Sequence, residues 1–215
     1  EFQIPQLLKA GDVGRNFMRT IFFTILLLLN ISVFAQIEQF VLIENVYQQW
    51  KRFSFTRNNE CDNFLFKDSI DHYVIDSVKS VILARPAFRK MQLAGIYQKG
   101  DSITFSLDEK KYIIEQLEEL NTYRWPDNIF KKSKKISPFQ IDSMHSVMKS
   151  MDIAPIKKLC YNVYTFSHPI FLRNYTICLF YFEERSFIAR EGEFSIYKLY
   201  NNEWTKYTPI YVTQM

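Results

Sequence analysis

Phe166-Ser167-His168-Pro169-Ile170-Phe171-Leu172-Arg173-Asn174-Tyr175-Thr176-Ile177-Cys178-Leu179-Phe180-Tyr181-Phe182 is the densest apolar stretch of the chain, and its reading decides the fold class. From Tyr175 onward it is apolar on both alternating faces. Tyr175, Ile177, Leu179 and Tyr181 fall on one, and Cys178, Phe180 and Phe182 on the other. Successive strand residues point to opposite sides, so the pattern predicts a strand covered on both faces. Residues 194–199 and 204–208 alternate more weakly. Asn201-Asn202 between them is a hairpin signal, because Asn tolerates the positive φ of tight turns. Residues 166–209 therefore read as an antiparallel wall that ends in a three-stranded meander.

Upstream segments supply the helices that pack on this wall. Residues 36–53 carry Phe40, Ile43, Tyr47 and Trp50 at spacings of three and four, one helical stripe. Residues 56–62 are a loop by composition. Residues 69–84 place Ile70, Tyr73, Val74, Val78, Val81 and Ile82 on one face, with Asp68 or Ser69 as cap and Pro86 as terminator. Residues 91–97 and 102–105 read as short strands joined at Lys99-Gly100-Asp101. Ser106-Leu107-Asp108-Glu109 is a capping box opening a helix over 107–121, with Ile113, Ile114, Leu117 and Leu120 buried. Ser137-Pro138-Phe139-Gln140 opens another, continued by Ile141, Met144, Met148 and Met151. Residues 160–165 add a strand. The predicted class is α+β, amphipathic helices on an antiparallel sheet.

An address is written near the start. Met18-Arg19-Thr20 leads into a nearly unbroken apolar run over 21–34, and Val33-Phe34-Ala35 precedes Gln36. A basic segment, a short apolar core and a small residue at the cut are the parts of a secretory signal. The run is shorter than the ~20 residues a membrane helix needs. Residues 1–17 read as an upstream or non-native extension, residues 18–35 as the signal peptide, and residues 36–215 as a single α+β domain in the periplasm or outside the cell.

Composition narrows the rest. The chain has 215 residues, of which 17% are aromatic, and a formal charge of +4. Residues 1–35 hold Lys9, Arg15 and Arg19 against Glu1 and Asp12, so the remainder carries +3. That is too mild for the basic face of a nucleic-acid binder. Lys131-Lys132-Ser133-Lys134-Lys135 is a local basic cluster, read as a solvated connection, with an anionic lipid or polysaccharide contact as its functional alternative. Five glycines leave little material for a phosphate-cradling loop. Cys61, Cys160 and Cys178 permit one disulfide or none, and the pairing stays open.

Signals for chemistry are sparse. His72, His145 and His168 are scattered, without the paired spacing of a zinc site. Asp68, His72 and Asp76 share an i, i+4, i+8 spacing that suits a metal but also suits any solvated helix face. No nucleophile elbow is present. Ser167 and His168 are adjacent, so on a strand they face opposite ways. Cys160 or Cys178 with a distant His is the remaining covalent option. The segment 183–192, Glu-Glu-Arg-Ser-Phe-Ile-Ala-Arg-Glu-Gly, alternates in charge and is the least apolar part of the wall. Arg185, Phe187, Arg190 and Glu191 within it are the candidate binding surface. No catalytic residue, metal ligand or cofactor is assigned.

The segment Ser167-His168-Pro169-Ile170-Phe171-Leu172-Arg173-Asn174, followed by the aromatic strand, Gly192, Ile196-Tyr197-Lys198 and Trp204, resembles a set of uncharacterised secreted α+β proteins of Bacteroidota. Asp101-Ser102-Ile103-Thr104, Trp125-Pro126 and the signal end Val33-Phe34-Ala35-Gln36 fit the same pattern. The resemblance covers about half of the mature chain and implies class and address, not an activity. Its loop departs here, with Arg185 to Arg190 where relatives carry Cys and extra Gly. The expected function is a non-enzymatic binding or envelope-interaction domain, monomeric, with a protein partner or envelope component. The alternative is a small secreted hydrolase with a distributed His/acid or Cys/His site.

Overall fold

Ile177–Arg185 forms the central strand (β7), and seven consecutive side chains from Ile177 to Glu183 are buried, as two-sided apolarity requires. In the computed structural model the described residues are 41–43, 46, 64–91, 97–127, 133–149, 162–186 and 189–214. The chain divides into two units, Glu1–Glu44 and Asn45–Met215. In the first, residues 41–43 are helical, with Leu42 and Ile43 buried. Most of the 36–53 helix, the loop over 56–62 and the signal segment lie outside the described residues.

In the second unit the order is β1 (Phe64–Lys67), α1 (His72–Ala84), β2 (Phe88–Met91), β3 (Tyr97–Ile103), α2 (Leu107–Leu120), β4 (Ser133–Lys135), α3 (Pro138–Lys149), β5 (Val163–Phe166), β6 (Ile170–Leu172), β7, β8 (Arg190–Tyr200) and β9 (Glu203–Gln214). The protein is α+β. The main sheet runs β4-β1-β5-β7-β8-β9, with β6 also on β7. It is mixed, not antiparallel throughout: β1 pairs parallel with both β4 and β5, whereas β5 through β9 pair antiparallel. The basic cluster is therefore no mere connection. Ser133–Lys135 is an edge strand, where lysines are commonly placed to discourage further pairing, and Lys135 pairs with Asp127 and Asp68.

β5 and β6 lie end to end along one edge of β7. Phe166 opposes Phe182 and Ile170 opposes Leu179, so four steps on one side face three on the other. Ser167, His168 and Pro169 hold the extra residue. Pro169 has no N–H to give the ladder. Ser167 repairs the break: its N–H donates to Tyr181 O at 3.0 Å, and its hydroxyl accepts from Tyr181 N–H at 2.8 Å. Trp125 closes the gap from outside, its indole N–H donating to Phe166 O at 2.8 Å.

Helices α1 and α2 cover one face of the sheet. Val74, Ile75, Val78 and Ile82 from α1, and Ile113, Leu117 and Leu120 from α2, join Ile170, Leu172, Ile177, Leu179, Tyr181, Phe194, Ile196, Tyr207 and Ile210 in one core. Helix α3 makes a smaller core of Ile136, Ile141 and Val163. Both predicted capping boxes form. Ser106 and Glu109 exchange reciprocal bonds of 3.1 and 2.9 Å, and Ser137 and Gln140 do so at 3.3 and 2.9 Å.

Two boundaries differ from the sequence reading. Helix α1 starts at His72, not Ser69, because Asp71 sits at the cap with extended backbone and its carboxylate is engaged elsewhere. The β2–β3 hairpin pairs Phe88 with Ile103 and Met91 with Tyr97, so Gly100 lies inside β3. Its φ of +94° suits a ladder irregularity that a Cβ would strain. The Asn201-Asn202 turn is as expected, with φ of 49° and 64°, the two positive values of a type I′ turn.

Candidate functional site

At the upper end of β7 the alternation carries Tyr181 and Glu183 to the helix-covered face. Glu183 is 4% exposed, and a carboxylate at that depth needs donors. The Tyr181 hydroxyl donates one. Arg190, the first residue of β8, supplies another from Nη2 at 2.8 Å. The same Nη2 lies 2.6 Å from Asp71 Oδ2 at the start of α1, and Lys67 of β1 holds the other oxygen of Asp71. Gly192 makes the arrangement fit. A Cβ there would stand 2.9 Å from Glu183 Cβ and 3.1 Å from Phe182 O, so the Glu183 stem lies across bare backbone.

Tyr73 completes the cluster. Its ring faces the Arg190 guanidinium at 5.6 Å and is 42% exposed. Arg190 Nε is buried and has no partner among the described residues. Burial by itself would raise the Asp71 pKa, but hydrogen bonds and charge from Lys67 and Arg190 outweigh it and hold the carboxyl below its ordinary 3.8. Burial works against the Arg190 charge, and Glu183 and Asp71 more than offset it, so its pKa rises. Burial, then the adjacent Glu183, pushes the Tyr181 phenol up. Burial also raises Tyr73. Asp71 and Arg190 thus keep their charges at neutral pH and cannot relay protons there. The side chains of Lys67, Asp71, Glu183 and Arg190 form a clamp tying β1, α1, β7 and β8 together.

Around the clamp the hairpin is tighter than its composition suggests. β7 continues to Arg185 and β8 begins at Arg190, opposite each other in register. Ser186 closes the turn, its N–H donating to Ala189 O at 2.8 Å. Of the four residues proposed as a binding surface, Arg190 is inside the clamp. Glu191 is exposed beside it. Arg185 is partly exposed, with its guanidinium 3.8 Å from Asp142 of α3. Phe187 lies outside the described residues. Sequence reasoning missed Asp71 and put Tyr73 on the buried stripe of its helix, whereas the ring is exposed over the Arg190 guanidinium. Glu183 had a signal, a charge continuing the buried face of an apolar strand two residues past Tyr181. Asp71, 119 residues from Arg190, had none.

The histidines and cysteines stand apart. His72 is exposed, with Nδ1 2.6 Å from Asn121 Oδ1. His168 packs at a tilt against Tyr123 and Trp125, with ring centroids at 4.9 and 6.0 Å, and burial lowers its pKa below 6.5. The Cys178 thiol is fully buried, and that burial drives its pKa well up, away from the reactive thiolate. Asp68 precedes α1 and lies near Lys135, while Asp76 lies near Lys79, so neither gathers with His72. Among the described residues no three His, Cys, Asp or Glu side chains are placed to hold a metal. The His145 side chain, Cys61 and Cys160 lie outside them. Comparison with family models, curated proteins and solved structures gave no match.

Proposed function

We propose that this protein is an exported, non-enzymatic domain that acts by binding a protein or envelope component through the β7–β8 hairpin end. The observation that carries the reading is the exposed Tyr73 ring seated on an arginine that two carboxylates immobilise. Tyr and Arg are the side chains that most often anchor interfaces, and an anchor held in place before contact loses little entropy on binding. Arg185, opposite Arg190 in the ladder, and Glu191, next to Arg190 on β8, add charge at the same hairpin end. Export rests on the signal pattern of residues 18–35, and among the described residues no helix is long and apolar enough to cross a membrane.

The test is photocrosslinking in cells with a photoreactive amino acid at position 73, compared with position 112 on α2. A discrete adduct from position 73 that is lost on Arg185→Glu is expected. Equal labelling from both positions would overturn the assignment of the surface. Turnover of an ester, peptide or glycoside that vanishes in His168→Ala would replace it with the hydrolase reading. N-terminal sequencing of the exported form should begin at Gln36.

A further inference from the structure

The other end of β8 presents a different chemistry, about 30 Å away along the strand. Lys198 and Tyr200 share one face there, and Lys90 of β2 reaches the same ring from the second sheet. Lys198 Nζ lies 4.9 Å from the Tyr200 ring centroid and Lys90 Nζ lies 5.6 Å from it. Lys198 also lies 5.9 Å from the Tyr207 ring. The two ammoniums are therefore within about 10.5 Å of each other, and Tyr200 is 39% exposed.

Lys67, Lys79, Lys135 and Lys206 each meet a carboxylate, and Lys110 donates to the carbonyls of Leu83 and Arg85. Lys90 and Lys198 meet no carboxylate among the described residues. The nearby Asp101 accepts from the Tyr207 hydroxyl at 2.8 Å. Glu203 opposes Tyr200 in the ladder without closing on either lysine. Bringing two like charges together costs energy that an anion between them recovers. Cation–π contact with Tyr200 and Tyr207 holds the ammoniums near the ring at an energy small enough for a stronger acceptor to displace.

We propose that Lys90, Lys198 and Tyr200 form a binding site for an oxyanion, a phosphate or sulfate monoester group. The site is separate from the Tyr73 surface and stands or falls independently of it. Inorganic phosphate and sulfate, titrated at constant ionic strength and followed by NMR, should shift the resonances of Lys90, Lys198 and Tyr200 saturably. Lys90→Gln or Lys198→Gln should each weaken binding at least about tenfold, as loss of a charge-assisted hydrogen bond does. Lys111→Gln on α2, which removes the same charge elsewhere, should leave it unchanged. Glu203→Gln should tighten it. Glycerol 1-phosphate against vesicles of phosphatidylglycerol or phosphatidylcholine then separates a soluble ester from a lipid headgroup. Shifts that stay linear to tens of millimolar, or equal loss in Lys111→Gln, would overturn the site.

Discussion

Replacing Arg190 by Met isolates what the clamp contributes. The change keeps most of the apolar stem and removes the guanidinium. Asp71 is about a third exposed and retains Lys67, so its loss is that of a surface pair, about 0.2–1 kcal/mol. Glu183 is different, because its side chain is 5% exposed and Arg190 is the cation bonded to it. Stranding a buried carboxylate costs about 3–5 kcal/mol, a large part of the 5–15 kcal/mol that holds an ordinary domain. The second variant is Glu183→Gln, which keeps shape and removes the charge. In Arg190→Met it should restore much of the loss, so the double variant is more stable than Arg190→Met alone. Urea unfolding measures both. With a slope near 2 kcal/mol/M, the midpoint of Arg190→Met should fall by about 2 M, and the added Glu183→Gln should recover about half. The slope should not change. Losses that simply add across the two sites would refute the claim that Arg190 acts through the Glu183 charge.

Three further outcomes follow from the same geometry. Gly192→Ala should destabilise by about 1–3 kcal/mol, measured by thermal or urea unfolding, since the added methyl meets the Phe182 carbonyl and the Glu183 Cβ, neither of which can move without the backbone. A strand that tolerated alanine without loss would contradict the close approach. Trp125→Phe should cost about 1–3 kcal/mol or more despite keeping an aromatic ring, because the Phe166 carbonyl loses the indole N–H at 2.8 Å in a buried place. The pH dependence follows from His168. Its folded pKa lies below the unfolded 6.5, so the unfolded chain binds the proton first as pH falls. Its contribution is complete above about 6.5 and is lost as pH drops from there through the folded value. Urea midpoints at pH 7.5 and 5.5 should therefore differ more in the native chain than in His168→Phe.

Local rules account for the elements that were legible in advance. Capping at Ser106 and Ser137 involves residues three apart, and the chemistry is complete within one turn. The Asn201-Asn202 reversal needs only side chains that accept positive φ. Two-sided burial of β7 is visible because both alternating sets are apolar. The errors share a cause. Lys131 to Lys135 has the composition of a loop, and Ser133–Lys135 becomes a strand only because Phe64–Lys67 offers it a parallel edge. Helix α1 starts late because Asp71 is claimed by Lys67 and by Arg190. Gly100 reads as a turn but serves a ladder irregularity.

The candidate sites divide the same way. Sequence by itself determined the α+β class, the capped helices, the buried central strand and the charged character of residues 183–192, since each depends on neighbours a few positions apart. Only the tertiary structure decided that Arg190 faces inward to Asp71 and Glu183, and that Tyr73 is left outside on its guanidinium. It also decided that Lys90 and Lys198 meet over Tyr200. Those pairings join residues on separate elements. They are set by sheet order and register, and no local pattern encodes which distant charge will arrive beside which.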